Sequence, residues 1–145
     1  MIGTPAVSLE KMELHDRYHH SQSEIKGWSV HPARDADSFS ETFVENPFPS
    51  QEWCYYLDDQ LIGVGYVDQV PNALSAIYFF YEPEAKKRSL GTFNVLSIIE
   101  QARRRSLSYV YLGYYVEGCQ SLAYKAHFTP NEVMTEAGHW CRFRD

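Results

Sequence analysis

Three adjacent cations, Lys86, Lys87 and Arg88, run into Ser89, Leu90 and Gly91. Ahead of them Ala76, Ile77, Tyr78, Phe79 and Phe80 form an apolar, aromatic run dense enough for a buried strand. Behind them Val95, Ile98, Ile99 and Ala102 recur at helical spacing. A strand therefore feeds a basic, glycine-containing turn that opens a helix. The backbone N–H groups and dipole of such a turn suit an anion, typically a phosphate. A plain strand–helix connection with solvated cations fits the same residues. A second pattern lies near the start, where His15 and His19 stand at i and i+4 in the frame His15-Asp16-Arg17-Tyr18-His19. Zinc proteases of this spacing carry Glu after the first histidine. Here Asp16 takes that place and no third ligand is evident, so a packing helix without metal is expected.

These residues need elements to hold them. Ser8 caps a helix that runs from Leu9 to about His20, with Lys11 where a capping box has Glu. Residues 21–49 are polar and broken by Gly27, Pro32, Pro47 and Pro49, and read as a loop with one short helix over 36–44 after Asp35. Residues 53–57 and 61–69 make a hairpin about Asp58-Asp59-Gln60, and Pro71-Asn72-Ala73 turns the chain into a strand over 74–81. The helix opened by Gly91 ends near Arg103-Arg104-Arg105, cations suited to a C-terminus. Residues 109–116 are the next strand, parallel to 74–81 through a right-handed crossover. A short helix over 119–128, stopped by Pro130, and a hairpin around Gly138 close the chain. The class is α+β, with the outline of a GNAT-like acyltransferase fold: a mixed, mainly antiparallel sheet whose central helix follows the fourth strand. In that fold two adjacent parallel strands splay, here Ala76–Tyr81 and Tyr109–Tyr115, and acyl donor and acceptor amine meet in the gap.

The chain has 145 residues, enough for one domain over 1–145. A net charge of −6 weighs against a generic nucleic-acid binder, whose footprint is usually basic. Cys54, Cys119 and Cys141 form no C-x-x-C pair, which suggests reduced thiols. Met1-Ile2-Gly3-Thr4-Pro5 has neither the basic start nor the apolar core of a signal peptide, and no run approaches a membrane span. A cytoplasmic protein without membrane contact is expected.

Five segments carry a resemblance: Asp16-Arg17-Tyr18-His19; Leu61-Ile62-Gly63-Val64-Gly65-Tyr66-Val67-Asp68; Ser89-Leu90-Gly91-Thr92-Phe93; Tyr111-Leu112-Gly113-Tyr114-Tyr115-Val116 with Cys119; and Tyr124-Lys125-Ala126 with Phe128 and Pro130. In this order they resemble the C-terminal catalytic domain of the arginyl-tRNA–protein transferase family, including its bacterial leucyl-transferring branch. The resemblance implies transfer of Arg or Leu from aminoacyl-tRNA to the N-terminal α-amine of proteins with N-terminal Asp or Glu, tagging them for degradation in the N-degron pathway. It implies no cofactor for this domain. The family normally adds an N-terminal domain with clustered cysteines; nothing here corresponds to it, so the chain is expected to be a fragment or a stand-alone domain.

The implied reaction is aminolysis of an ester. An α-amine with pKa near 7.8 is about one-seventh neutral at pH 7, a cost of about 1.2 kcal/mol. Orientation of two bound reactants is worth roughly 7–11 kcal/mol, so positioning outweighs the need for a strong base. Tyr81 and Tyr114, near the ends of the splayed strands, can orient reactants or relay a proton, or simply pack between sheet and helix. Asp68 can meet the incoming ammonium or close a strand-terminal turn. Lys125, beside Tyr124, can bind an acidic acceptor side chain, steady the ester, or sit on a helix surface. Lys87, Arg88, Ser89, Leu90 and Gly91 would hold the 3′-terminal phosphate of the tRNA. The same turn, Arg88 to Phe93, nearly matches the pattern of CoA-dependent GNAT N-acetyltransferases, but Phe93, where that pattern has a small residue, is expected to crowd and exclude the pyrophosphate of CoA. A CoA-dependent acetyltransferase and a non-catalytic module for acidic N-termini are the competing expectations.

Overall fold

A computed structural model describes residues 1–30 and 32–144, which form two compact units, Met1–Tyr111 and Leu112–Asp145. The first holds a five-stranded sheet in the order β1 (Ile2–Gly3), β2 (Ser50–Leu57), β3 (Gln60–Val70), β4 (Ala73–Tyr81), β5 (Tyr109–Tyr111). Every pairing is antiparallel except β4 with β5, which is parallel. The β2–β3 turn sets Asp58 and Asp59 at φ 48° and 66°, and such left-handed two-residue loops match the twist of a hairpin.

Helix α1 spans Leu9–Lys26, its N–H at Lys11 capped by the Ser8 hydroxyl and its end closed by Gly27 at φ 66°. It runs past the expected stop at His20. Its buried face is Lys11, Leu14, His15, Tyr18 and Gln22, helical in spacing but largely polar, so the second half read as loop. Helix α2 (Ala36–Phe43) is capped by Asp35, which accepts from the Ser38 N–H at 2.8 Å. These two helices cover one face of the sheet, where Leu14, Tyr18, Phe39 and Phe43 pack on Cys54, Val64, Tyr66 and Phe80. Helix α3 (Leu90–Arg104) covers the other, with Ile98 and Ala102 on Trp53, Val67 and Leu74. It lies close: a Cβ on Gly65 would stand 2.9 Å from Asn94 Oδ1, which already accepts from the Tyr55 hydroxyl at 2.8 Å. Glycine at this position thereby fixes where the N-terminal half of α3 rests on the sheet.

Two expectations need correction. The strand expected over 109–116 ends at Tyr111, because Gly113 at φ 75° breaks the extended run. Its partners are Ala73, Leu74 and Ser75, not the Ala76–Tyr81 half of β4. In the second unit the expected 119–128 helix is split into α4 (Gln120–Ala123) and a 3₁₀ turn, Tyr124–His127. The closing hairpin pairs β6 (Asn131–Met134) with β7 (Trp140–Arg144), and the Asn131 amide donates to the carbonyls of Ala126 and Phe128. Among the described residues no helix is long and apolar enough to cross a membrane.

Candidate active site

The first unit opens where β4 and β5 part. Ser75 faces Tyr111 as the last pair, and Ala76–Tyr81 continue with β3 on one side only. Immediately beyond the last pair the β3–β4 register jumps from Val67↔Ala76 to Tyr66↔Tyr78, leaving Ile77 as the extra residue of a bulge. Bulges twist a strand and re-aim its groups. Among the described residues of this unit, the parting therefore leaves the backbone N–H and C=O groups along one β4 edge without a strand partner.

At its far end this edge feeds the basic turn. Glu82 is 7% exposed and its N–H donates to the Ile62 carbonyl at 2.9 Å. Its Oε2 accepts from Arg17 Nε and Nη2 at 3.0 and 2.9 Å, tying α1 to the end of β4. Pro83–Arg88 form a 3₁₀ turn that presents Lys86, Lys87 and Arg88 in its last turn, all exposed. Ser89 at φ 52° then switches the chain into α3, with no side-chain cap on the first turn. The N–H groups of Leu90, Gly91 and Thr92 open the helix ahead of its first hydrogen bond, Phe93 N–H to the Ser89 carbonyl at 3.0 Å. Leu90 is buried as the hydrophobic anchor of this corner, and a Cβ on Gly91 would meet nothing within 4 Å. Phe93 packs edge-on against Tyr55 at 5.7 Å and so turns toward β2. Its ring is therefore not what would crowd a pyrophosphate at the turn.

Tyr81 ends β4 half-buried, its ring 5.1 Å from Tyr18 and 5.8 Å from Phe79. Burial raises its pKa, so its hydroxyl keeps its proton at neutral pH. Asp68 stands in the row Ser50–Asp68–Ser75–Tyr111, at the other end of the open edge. Five ladder steps, about 17 Å of strand at roughly 3.3 Å per residue, separate it from Tyr81. Its Oδ1 accepts from the Ser50 hydroxyl and from Asn46 Nδ2, the bonding of a strand-terminal turn. These two residues are not brought together. In the second unit Tyr114 is 87% exposed and its carbonyl accepts from Lys125 Nζ at 2.8 Å. Burial lowers the Lys125 pKa, and Tyr124 stands edge-on to Phe128 at 6.2 Å.

Residues expected only as part of a packing helix also converge with residues of the sheet. His19 Nε2 is 2.7 Å from the Tyr78 hydroxyl, bridging α1 to β4 just past the bulge, and the rings of His15 and His19 lie 4.2 Å apart. A cavity of about 390 Å³ beside α1 is lined by His15, Asp16, His19, Arg34, Asp35 and Ser38, among others. The signal for this cluster was the His-Asp-Arg-Tyr-His frame itself, which the sequence offers as a histidine pair and as a segment of the resemblance but not as the wall of a cavity. Among the described residues no three His, Cys, Asp or Glu side chains gather as a metal site. The Cys54 thiol is pushed up to about 11, by burial and then by the Glu52 charge, which makes it a poor nucleophile.

The family model described as arginine-tRNA-protein transferase, C terminus, matches residues 10–135. The chain belongs to the arginine-tRNA-protein transferase family. Relatives similar to this chain include aspartate/glutamate leucyltransferases. That of Campylobacter jejuni strain 81-176 is 36% identical over 135 residues, covering 92% of this chain and 56% of the relative. That of Pseudomonas fluorescens Pf0-1 is 39% identical over 131 residues, 90% of this chain and 54% of the relative. The chain thus spans about half the length of the curated relatives it matches. Among solved structures, an acetyltransferase from Streptococcus agalactiae 2603 aligns with TM-score 0.62 at 15% identity, over 96% of this chain and 87% of that one. The ribosomal-protein-S18-alanine N-acetyltransferase of Escherichia coli aligns with TM-score 0.59 at 11% identity, over 97% and 87%. At these identities the likeness shows the fold alone: the transferase-family chain has the GNAT fold expected of it.

Proposed function

We propose that this chain carries the acyl-transfer chemistry of an aminoacyl-tRNA–protein transferase, moving Leu or Arg from its tRNA to the α-amine of a protein beginning with Asp or Glu. The observation that carries the reading is the parting of β4 and β5 after Ser75↔Tyr111, which opens one β4 edge that leads into the Lys86–Arg88 turn. Family membership supports the donor, and the relatives' name supports leucine and acidic acceptors.

The neutral α-amine attacks the ester carbonyl of the aminoacyl-tRNA. A C–N bond forms, the ester C–O bond breaks, and the amine proton passes to the departing ribose oxygen. Free N–H groups on the β4 edge stabilise the oxyanion as it develops; one such donor is worth roughly 3–4 kcal/mol in other acyl transferases. Tyr81, protonated and at the end of that edge, relays or orients the proton. In the second unit Lys125 and Tyr124 contribute substrate contacts and Tyr114 a hydroxyl; Asp68 holds the strand end through Ser50 and Asn46. Lys87, Arg88 and the N–H groups at Leu90 and Gly91 take the 3′-terminal phosphate. The setting is cytoplasmic and the product is a protein marked for degradation.

A CoA-dependent acetyltransferase stays in competition because Phe93 faces Tyr55 and leaves the turn uncrowded. Titration with charged tRNA and with acetyl-CoA separates the two. With about two or three phosphate contacts, the log–log salt slope for charged tRNA is expected near −2, at about −0.7 per contact. Arg88→Glu should weaken binding and flatten that slope. Micromolar acetyl-CoA binding, or tRNA binding indifferent to Arg88→Glu, would move the acetyltransferase reading ahead.

A further inference from the structure

The cavity beside α1 plays no part in the chemistry above, and its polar groups are not fully used. Its walls come from α1, from the connection to α2 and from the start of α2. His15 is 4% exposed and its Nδ1 makes no hydrogen bond; the nearest carboxylate oxygen, Asp16 Oδ1, is 3.5 Å away. Arg34 uses only Nη1 of its guanidinium, donating to the Ser38 carbonyl at 3.3 Å and Thr42 Oγ1 at 2.6 Å, while the plane lies 5.6 Å from the Phe43 ring. Its Nε and Nη2 donate to no described residue. The two carboxylates on the wall are already engaged with backbone donors. Asp16 Oδ1 accepts from the Arg34 N–H at 3.3 Å, and Asp35 Oδ1 accepts from the Ser38 N–H at 2.8 Å. The cavity is thus left with spare donors in a fixed fork and a buried imidazole whose Nδ1 makes no hydrogen bond, the arrangement that recognises a planar anion.

We propose that this cavity takes the side-chain carboxylate of an acceptor's N-terminal aspartate or glutamate, Arg34 pairing with it and His15 donating a ring N–H. The inference rests on the transferase reading, which supplies an acidic acceptor, and adds where that acid is read. A volume of about 390 Å³ admits either side chain, so selection is by charge and not by length. An Asn or Gln terminus has the same shape without the charge and leaves the guanidinium unpaired.

The test titrates the chain with short peptides beginning Asp, Glu or Asn, by calorimetry and by NMR of the histidine rings, with charged tRNA binding measured in parallel. Asp and Glu peptides should shift the His15 and His19 resonances and bind roughly tenfold or more tighter than the Asn peptide. Arg34→Gln should remove most of that difference and Arg34→Lys restore part of it; both leave the backbone N–H that Asp16 accepts. If wild type prefers Asp over Asn and Arg34→Gln keeps the preference, the cavity is not the acid site while the transferase reading stands. Charged tRNA bound with no peptide binding also overturns the cavity alone. Failure of both ligands overturns both.

Discussion

Glu52→Ala is expected to destabilise the chain by about 3–5 kcal/mol, the cost of stranding a buried charge. Glu52 is 6% exposed and its carboxylate collects Lys11 Nζ, the Tyr66 hydroxyl at 3.3 Å, the Cys54 thiol at 3.5 Å and the Ala6 N–H at 3.4 Å. Lys11, 9% exposed, keeps only the Ala6 carbonyl at 2.9 Å once Glu52 is gone. An ammonium without a counter-ion at that depth outweighs the lost methylenes. The Lys11→Met, Glu52→Leu pair removes both charges and should recover most of the loss, since apolar replacement of a buried pair is often neutral. Urea unfolding of the three proteins is the measurement. A Glu52→Ala cost below about 1 kcal/mol, the range of an exposed pair, would show that the network is solvated.

Stability should also fall as pH drops from 6.5 towards 4, and His15 sets that window. Burial first, and the nearby His19 second, lower its pKa to about 4 from 6.5. It faces Asp16, His19 and Arg34, with Tyr78 and Phe80 from β4 and Phe39 and Phe43 from α2. Below 6.5 the unfolded chain takes up a proton that the folded chain refuses, so the contribution is complete above 6.5 and is lost as pH falls to about 4. At about 1.4 kcal/mol per unit this reaches about 3 kcal/mol. His15→Gln should flatten the curve across that interval relative to wild type; parallel curves would mean that His15 is protonated in the fold.

What could be read ahead of the structure followed the strength of the periodic signal. The β2–β3–β4 meander and α3 announced themselves through dense apolar runs and through turn residues, Asp58-Asp59 and Asn72, which the structure holds at positive φ. The α2 cap at Asp35 was legible for the same reason, a short polar side chain ahead of a helical stripe. The second half of α1 was not, because Gln22 buries an amide where a stripe has an apolar residue. The end of β5 was hidden in the aromatic run 109–116, in which Gly113 is the only break. Of the site, the Lys86–Arg88 turn and its helix were visible because they are contiguous. The cluster of His15, His19, Tyr78 and Arg34 was not: it joins α1, β4 and the connection to α2, and no local spacing encodes that. Tyr81 does end β4, whereas Asp68 lies two residues short of the end of β3, and five ladder steps keep the two apart.

The most direct measurement is mass spectrometry of a peptide with N-terminal Asp after incubation with this chain and either leucyl-tRNA, arginyl-tRNA or acetyl-CoA. The expected result is a peptide lengthened by a single residue at its α-amine with one of the charged tRNAs, and unchanged with acetyl-CoA. A peptide acetylated by acetyl-CoA and untouched by both charged tRNAs would contradict the assignment of this fold to aminoacyl transfer.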